Sequence, residues 1–295
     1  MKRLLSGSDL DYQPWRVGTS LCEFRGPEVD LEVPFLAVLG GSEAYGKFVE
    51  QPFPQLLAQR VGAQVANLGL MNAGLALVQN EPAVLDIAVQ ADLTVVQVLG
   101  AQNMSNCFYT VHPRRNDRFI AASPRLKELY PQVDFTGFHF TGHLVQTLED
   151  IDPWAFSMLL EELRVAWVEN MLSVLGSIPG EVVLLWMSER SPDEPGRGSA
   201  ASDPAFVDRD MLRELEGHHS GLVEVVASEA ARQEGVKGMC HKPDDAAVAR
   251  ILPGPKFHEE VATALEPAVR AAQKKRRAGN ADAPPNGSGP FRASR

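Results

Sequence analysis

Ser42 lies in the segment FLAVLGGSEAYG, residues 35–46, where an apolar run stops at paired glycines and is followed by a serine, an acidic residue and a third glycine. A strand ending in Gly40-Gly41 can turn sharply and let backbone N–H groups approach a ligand, which places Ser42 where a helix begins. A serine hydroxyl becomes a nucleophile only when a base takes its proton, and histidine is the side chain best matched to that task near neutral pH. His258, in GPKFHEE at the start of the closing periodic segment, is the candidate base. The oxyanion formed by such an attack needs two or three donors. The amides of Ser42 and Gly69 and a side-chain amide from Asn103 or Gln102 can supply them, and loss of one donor typically costs on the order of 10²–10³ in rate. Each residue also has a quieter use. Ser42 can cap the helix after the strand, Gly69 and Gly74 can be turn glycines, Asn103 can close an Asx turn, and His258 can be a surface residue.

The second concentration of chemistry is CFYTVHPRRNDR, residues 107–118, which sets His112, Arg114, Arg115 and Arg118 in an otherwise acidic chain. The planar fork of arginine suits phosphate, sulfate or carboxylate, so this loop is a candidate anion holder above Ser42. Glu43, Tyr45, Asn72 and Asn106 complete the candidate substrate-binding set. The alternative is a structural loop whose arginines pair with Asp117, Glu128 or Asp134. His139 and His143, four residues apart, face one side of a helix in this reading, but a metal would need a third ligand that the sequence does not offer. No metal and no cofactor are expected. Trp154, Trp167 and Trp186 fall in apolar-periodic segments and are expected in the core.

The elements that must position these groups alternate. Residues 33–39, 64–68, 93–99, 181–187 and 222–226 read as strands. Residues 52–61, 81–90, 141–148, 154–175, 208–216 and 258–272 read as helices, with an extended loop over 188–203. Strands apolar throughout, separated by helices, imply an α/β fold: a three-layer, doubly wound parallel sheet of about five strands with right-handed crossovers. Ligands of such a sheet bind beyond the carboxyl ends of the strands, where GGSEAYG, NLGLMNAG and GAQNMSN follow the first three.

These blocks resemble those of the SGNH (GDSL-like) hydrolase superfamily, which has a flavodoxin-like architecture and a serine, a glycine, an asparagine and a histidine at these stations. Ser42 matches the serine block, with Gly41 where the family usually has aspartate. Gly69, followed by Asn72 and Gly74, resembles the glycine block. Gly100-Ala101-Gln102-Asn103 resembles the G-x-N-D block, with Gln102 at the asparagine position and Asn103 at the aspartate position. His258 resembles the base, and Pro255 occupies the position of the acid that normally orients it; Asp244 or Asp245 could take that part. The chain also resembles a bacterial family carrying GSEAYGKF and GAQNMSN…HPRRNDRF. The resemblance implies an esterase or acyltransferase using a Ser42–His258 dyad on an anionic or carbohydrate-linked ester. A small-molecule, lipid or carbohydrate substrate follows from it. The alternative is an anion-binding transferase or a non-catalytic binding protein built on the same fold around residues 114–118.

Bulk properties bound these readings. The 295 residues are 44% hydrophobic and carry a net charge of −10, which disfavours a nucleic-acid partner, because phosphate neutralisation needs a basic face. The 3 cysteines, Cys22, Cys107 and Cys240, are too scattered for a disulfide framework or a zinc cluster. No apolar stretch approaches the roughly 20 residues that span a bilayer, and no signal-type segment follows Lys2-Arg3, so a cytoplasmic protein is expected. GGSEAYGK lacks the ending of a phosphate-binding P-loop, which disfavours a nucleoside triphosphatase. The expected organisation is an extension over 1–32, an α/β domain over 33–273 with a helical insertion around 119–175, and a disordered basic, Pro- and Gly-rich tail over 274–295. Nothing in the sequence sets the oligomeric state.

Overall fold

Five strands pair in the order β2-β1-β3-β6-β7, all parallel, in the computed structural model of the protein, which describes residues 10–18, 20–194 and 203–281. The elements in chain order are β1 (Phe35–Gly40), α1 (Ser42–Tyr45), α2 (Phe53–Val61), β2 (Gln64–Gly69), α3 (Ala76–Asn80), α4 (Pro82–Gln90), β3 (Leu93–Gln97), β4 (Tyr109–Val111), β5 (Phe119–Ala122), α5 (Pro124–Leu129), α6 (Thr141–Ile151), α7 (Pro153–Gly176), β6 (Glu181–Ser188), α8 (Arg209–Arg213), β7 (Gly221–Val226), α9 (Glu229–Glu234), α10 (Ala246–Ala249) and α11 (Pro255–Ala281). All five expected strands are present.

The sheet is buried on both faces, and the period of two sorts its side chains. Phe35, Ala37 and Leu39 of β1 join Leu184 and Trp186 of β6 in one cluster, completed by α4 and α7. Leu36 and Val38 join Val95, Val183 and Leu185 in the other, covered by α2 and α11. Burial of β1, β2, β3 and β6 is why the sequence shows continuous apolar runs there rather than alternation, while the edge strand β7 is only partly covered. The chain leaves β1 toward β2 on one side and leaves β3 toward β6 on the other. The gap between the carboxyl ends of β1 and β3 is therefore the switch point at which such sheets receive ligands.

Several expectations change. Residues 15–29 are built into the main domain: Trp15 pairs with Phe24 across an isolated antiparallel bridge, and Trp15, Phe24 and Val29 are buried in the larger cluster. An antiparallel pair is added: β4 precedes the expected helical insertion, and β5 opens it where helix was expected. Trp167 and Trp186 are core residues, but Trp154 is 75% exposed, because in the first turn of α7 it is Ala155 and Phe156 that face the core. The closing helix continues through the basic run, where Lys275 pairs with Glu181 and Arg276 with Asp92. The remainder of the expected tail, residues 1–9 and the middle of the 188–203 loop lie outside the described residues. Among the described residues no helix is long and apolar enough to cross a membrane, and no group of three or more His, Cys, Asp or Glu is placed to hold a metal ion.

Candidate functional site at the carboxyl ends of the strands

Ser42 opens α1 directly after β1. Its helix is capped at Gly41 with no side-chain hydrogen bond, so Ser42 does not serve as the cap. Instead its Oγ accepts the backbone N–H of Asn72 at 3.0 Å. Asn72 has a φ of 61°, in the left-handed region that asparagine tolerates better than most residues, and this geometry turns its amide toward the serine. Gly69 is needed for close approach: a Cβ there would lie 2.5 Å from the Tyr45 backbone nitrogen. Asn67 ties the same two elements together, donating from Nδ2 to the Ala44 carbonyl at 2.9 Å and accepting the Gly69 N–H at 3.0 Å.

The third loop joins this group. A Cβ on Gly74 would lie 2.3 Å from the Asn103 carbonyl oxygen, so the loops after β2 and β3 are in contact. Asn103 is half-buried, and its Oδ1 accepts the Thr141 hydroxyl at 2.5 Å. Gln102 is buried with its Oε1 unpartnered, while its carbonyl accepts the Tyr109 hydroxyl at 2.7 Å. The Trp167 indole donates to the Leu99 carbonyl at 2.8 Å, fixing the start of this loop against α7. Ser42, Gly69, Asn72 and Asn103 thus converge on one end of the sheet.

His258 is not brought to Ser42 by any hydrogen bond. It is fully buried, stacked on Phe53 with ring centroids 6.0 Å apart, and its Nδ1 accepts the Phe53 N–H at 3.1 Å. This contact satisfies one of the free amides at the start of α2, so the imidazole serves as a cap supplied from another helix. Its Nε2 is enclosed without a partner. Neither Asp244 nor Asp245 is among its hydrogen-bond partners, and Pro255 simply opens α11. Burial, with the nearby Arg25 cation as the smaller cause, pushes the His258 pKa down to about 3. The native state therefore holds this ring neutral, whereas the unfolded chain protonates it below its ordinary value of 6.5. Stability contributed by the neutral ring is complete above that pH and is lost as pH falls toward 3, at about 1.4 kcal/mol per pH unit. His258→Asn, whose Oδ1 can still accept the Phe53 amide, is expected to show a shallower loss of stability on acidification. Urea unfolding of both proteins between pH 7.5 and pH 4 measures the difference.

The arginine loop is largely occupied in building itself. His112 Nδ1 accepts the amides of Arg114 and Arg115 at 3.2 and 3.1 Å, and buried Asn116 accepts the Gly74 N–H at 2.7 Å. Asn106 accepts the amides of Phe108 and Tyr109, a turn-forming arrangement. Arg114 approaches Glu81 at 3.7 Å, and Arg118 lies 4.4 Å above the Phe140 ring. Arg115 and Arg118 line a shallow depression with His112 and His139. His139 precedes α6 and is exposed, while His143 packs on Phe138 at 5.0 Å, so the two histidines do not share a helical face. Tyr45 is a core residue with its ring 5.3 Å from Tyr12.

The largest surprise is a cleft of about 430 Å³ beside α1, lined by Glu43, Ser188, Arg190, Arg250, Leu252 and Phe257 among others, with Asp203 in its wall. Glu43 is aimed by a relay: Gly41 N–H donates to Gln97 Oε1 at 3.1 Å, and Gln97 Nε2 donates to Glu43 Oε2 at 3.0 Å. Asp203 is exposed where it lines the cleft with Glu43 and Arg190. Sequence reading placed Asp203 at the end of a loop and gave it no role. Only its position beside an aspartate-proline step after β6 marked it.

The family described as Domain of unknown function (DUF6473) matches residues 1–273. The chain belongs to this family. The DUF6473 match takes in residues 15–29, the whole sheet and most of α11, in agreement with the packing of the N-terminal segment into the core. No curated protein shows significant similarity to the chain. Among solved structures, it is similar to a carbohydrate esterase family 2 enzyme with a carbohydrate-binding domain from Corynascus thermopiles (Myceliophthora fergusii), at 11% identity and a TM-score of 0.44, covering 85% of this chain and 69% of the other. It is also similar to LAE5, an alpha/beta hydrolase from the metagenome of Lake Arreo, at 15% identity and a TM-score of 0.41, covering 82% and 95%. A third similar structure is a His-to-Ala catalytic mutant of Axe2, an acetylxylan esterase from Geobacillus stearothermophilus, at 14% identity and a TM-score of 0.39, covering 79% and 92%.

Proposed function

We propose that this DUF6473 protein is a serine esterase or acyltransferase acting on a carbohydrate-linked or other small ester. The observation that carries the reading is the contact between Ser42 Oγ and the Asn72 N–H. It places a hydroxyl at the ligand-binding end of the sheet beside a backbone donor turned toward it. An acyl carbon attacked by Ser42 would set its oxyanion near the Asn72 amide, with the Ser42 amide and the Asn103 side chain as further donors. The Oδ1 of Asn103 is engaged by Thr141, which leaves its NH₂ group to donate. His258 is given no part in this reading, since its accepting nitrogen is committed to Phe53. An anionic substrate is less well supported than a neutral one, because the loop over residues 112–118 spends much of its polar capacity on its own backbone and the adjoining cleft carries carboxylates.

A fluorophosphonate probe on the intact protein, followed by peptide mass spectrometry, tests the assignment. The expected adduct is on Ser42, and an adduct elsewhere or none at all sinks it.

A further inference from the structure

The loop over residues 112–118 spends its backbone and one ring nitrogen on building itself, and its guanidinium groups are what remains. Among the described residues neither Arg115 nor Arg118 forms an ion pair, whereas the neighbouring Arg114 approaches Glu81. In a chain with 38 Asp and Glu against 28 Lys and Arg, two fixed positive charges thus stand without a counter-ion on one patch. Both line a depression of about 370 Å³ together with His112 and His139. Phe119 and Ile120, the latter 58% exposed, give that depression an apolar side.

The groups around the depression are held in place. His112 Nδ1 accepts the Arg114 and Arg115 amides, so the neutral ring carries its hydrogen on Nε2 and has a donor there to offer. The Arg118 amide donates to the Arg115 carbonyl at 2.9 Å, and the Arg118 carbonyl accepts the His112 amide at 2.8 Å. Its guanidinium lies 4.4 Å from the centre of the Phe140 ring, a contact that positions the cation without neutralising it. The His139 carbonyl accepts the Phe119 amide at 3.1 Å, which ties the segment carrying His139 and Phe140 to β5. The loop itself is anchored by Asn116 on the Gly74 amide and by the Asp117 carbonyl on the Thr141 amide at 2.9 Å. Asp117 is the one acidic side chain of the loop, and its Oδ1 is enclosed without a partner. Its charge offsets one of the two cations, which leaves the patch net positive before either histidine is protonated.

We propose that this depression binds the phosphate group of a phosphate monoester, with Arg115 and Arg118 as its principal partners and His112 as a further donor. A phosphate monoester carries about −1.5 to −2 charge at neutral pH and three strong acceptor oxygens. That is more than a carboxylate offers to two planar forks. The organic part of the ligand lies against Phe119 and Ile120. The site shares no lining residue with the group around Ser42 or with the cleft beside α1. It is therefore independent of the serine assignment and does not make the ester an anion.

Titration of the full chain with phenyl phosphate, followed through the arginine Nε–Hε signals in ¹⁵N NMR, tests the site. Saturable shifts largest at Arg115 and Arg118 are expected. Arg118→Gln should weaken binding about tenfold or more, and Arg118→Lys by less, since lysine keeps the charge and loses the fork. Because Arg118 also packs on Phe140, Arg115→Gln at an exposed position is the second variant and should weaken binding likewise, with a thermal melt of each protein as the check on folding. Co-sedimentation with phosphatidylcholine vesicles, with and without phosphatidic acid, is the other arm. Phenyl phosphate binding that responds to the variants assigns the site to a soluble phosphate monoester. Co-sedimentation that needs phosphatidic acid and responds to the same variants, without phenyl phosphate binding, assigns it to a lipid head group. Binding to neither, equal shifts with sodium chloride at matched ionic strength, or binding unchanged in both Arg115→Gln and Arg118→Gln overturns the proposal.

Discussion

Replacing Ser42 by alanine is expected to lower turnover of p-nitrophenyl acetate by at least about 10³-fold, with the protein still folded. The magnitude follows from the loss of a covalent route: without Oγ no acyl-serine forms, and only the amide donors around Asn72 remain to stabilise charge on the substrate. Folding should tolerate the change. Ser42 caps nothing, is half-buried, and loses one hydrogen bond from the Asn72 amide, worth about 1 kcal/mol. Initial rates and a thermal melt on the same preparations separate the two effects. Turnover within a few-fold of wild type would mean that Ser42 is a structural residue of the turn.

Arg25→Met is expected to lower stability by roughly 3–5 kcal/mol, since hydrogen bonds from a charged group are worth about 1.5–3 kcal/mol each. Arg25 is 3% exposed and donates to four carbonyls: Tyr45 and Gly46 from Nη1, at 3.1 and 2.5 Å, and Val49 and Glu50 from Nη2, at 2.7 and 2.9 Å. Its guanidinium also lies 5.1 Å from the centre of the Tyr12 ring. Methionine fills the space of the stem but takes a donor from the buried Tyr45, Gly46 and Val49 carbonyls, of which Gly46 alone keeps the Val49 amide. Because they belong to the segment that follows α1, the same variant should slow probe labelling at Ser42. Arg25→Lys should lie between wild type and Arg25→Met, since an ammonium cannot reproduce the planar fork that reaches both pairs. Urea denaturation gives the order of the three proteins; equal midpoints for wild type and Arg25→Met would dismiss the clamp.

The sheet was legible in the sequence because four of its strands are buried on both faces, and burial of that kind writes itself as an uninterrupted apolar run. The short β4 and β5 were not, since Thr110 and Ile120 are exposed and a register shift between Thr110 and Val111 breaks what little alternation such short strands display. The station after β1 was legible for the same reason as the strand itself: Gly40-Gly41-Ser42 marks an abrupt end to an apolar run. His258 shows the converse. Its position at the start of the last helix suits a base equally well whether the ring points to the cleft or into the packing under α2, and only the tertiary contact with Phe53 decides. The cleft lined by both Glu43 and Asp203 had no local signal at all, because it depends on β6 lying near β1 across β3. Trp154 misled because the first turn of α7 is apolar on adjacent positions, and the core takes Ala155 and Phe156 rather than the tryptophan.

The bond between His258 and Phe53 spans 205 positions, and it has a meaning for a chain made from its N-terminus. Phe257, Val261, Leu265 and Val269 of α11 cover the face of the sheet that carries Leu36, Val38, Val95, Val183 and Leu185. Until α11 emerges during synthesis, that face has only α2 and small contributions from Ala44 and Ala231 against it, and the amide of Phe53 lacks its acceptor. A nascent chain that has already made all five strands therefore still presents an apolar sheet surface to its surroundings. Loop closure over such a distance is slow to be rewarded, and surfaces of this kind are where newly made chains associate wrongly or meet chaperones. The enclosed imidazole acts as a latch that closes only after all five strands and the start of α11 have been made.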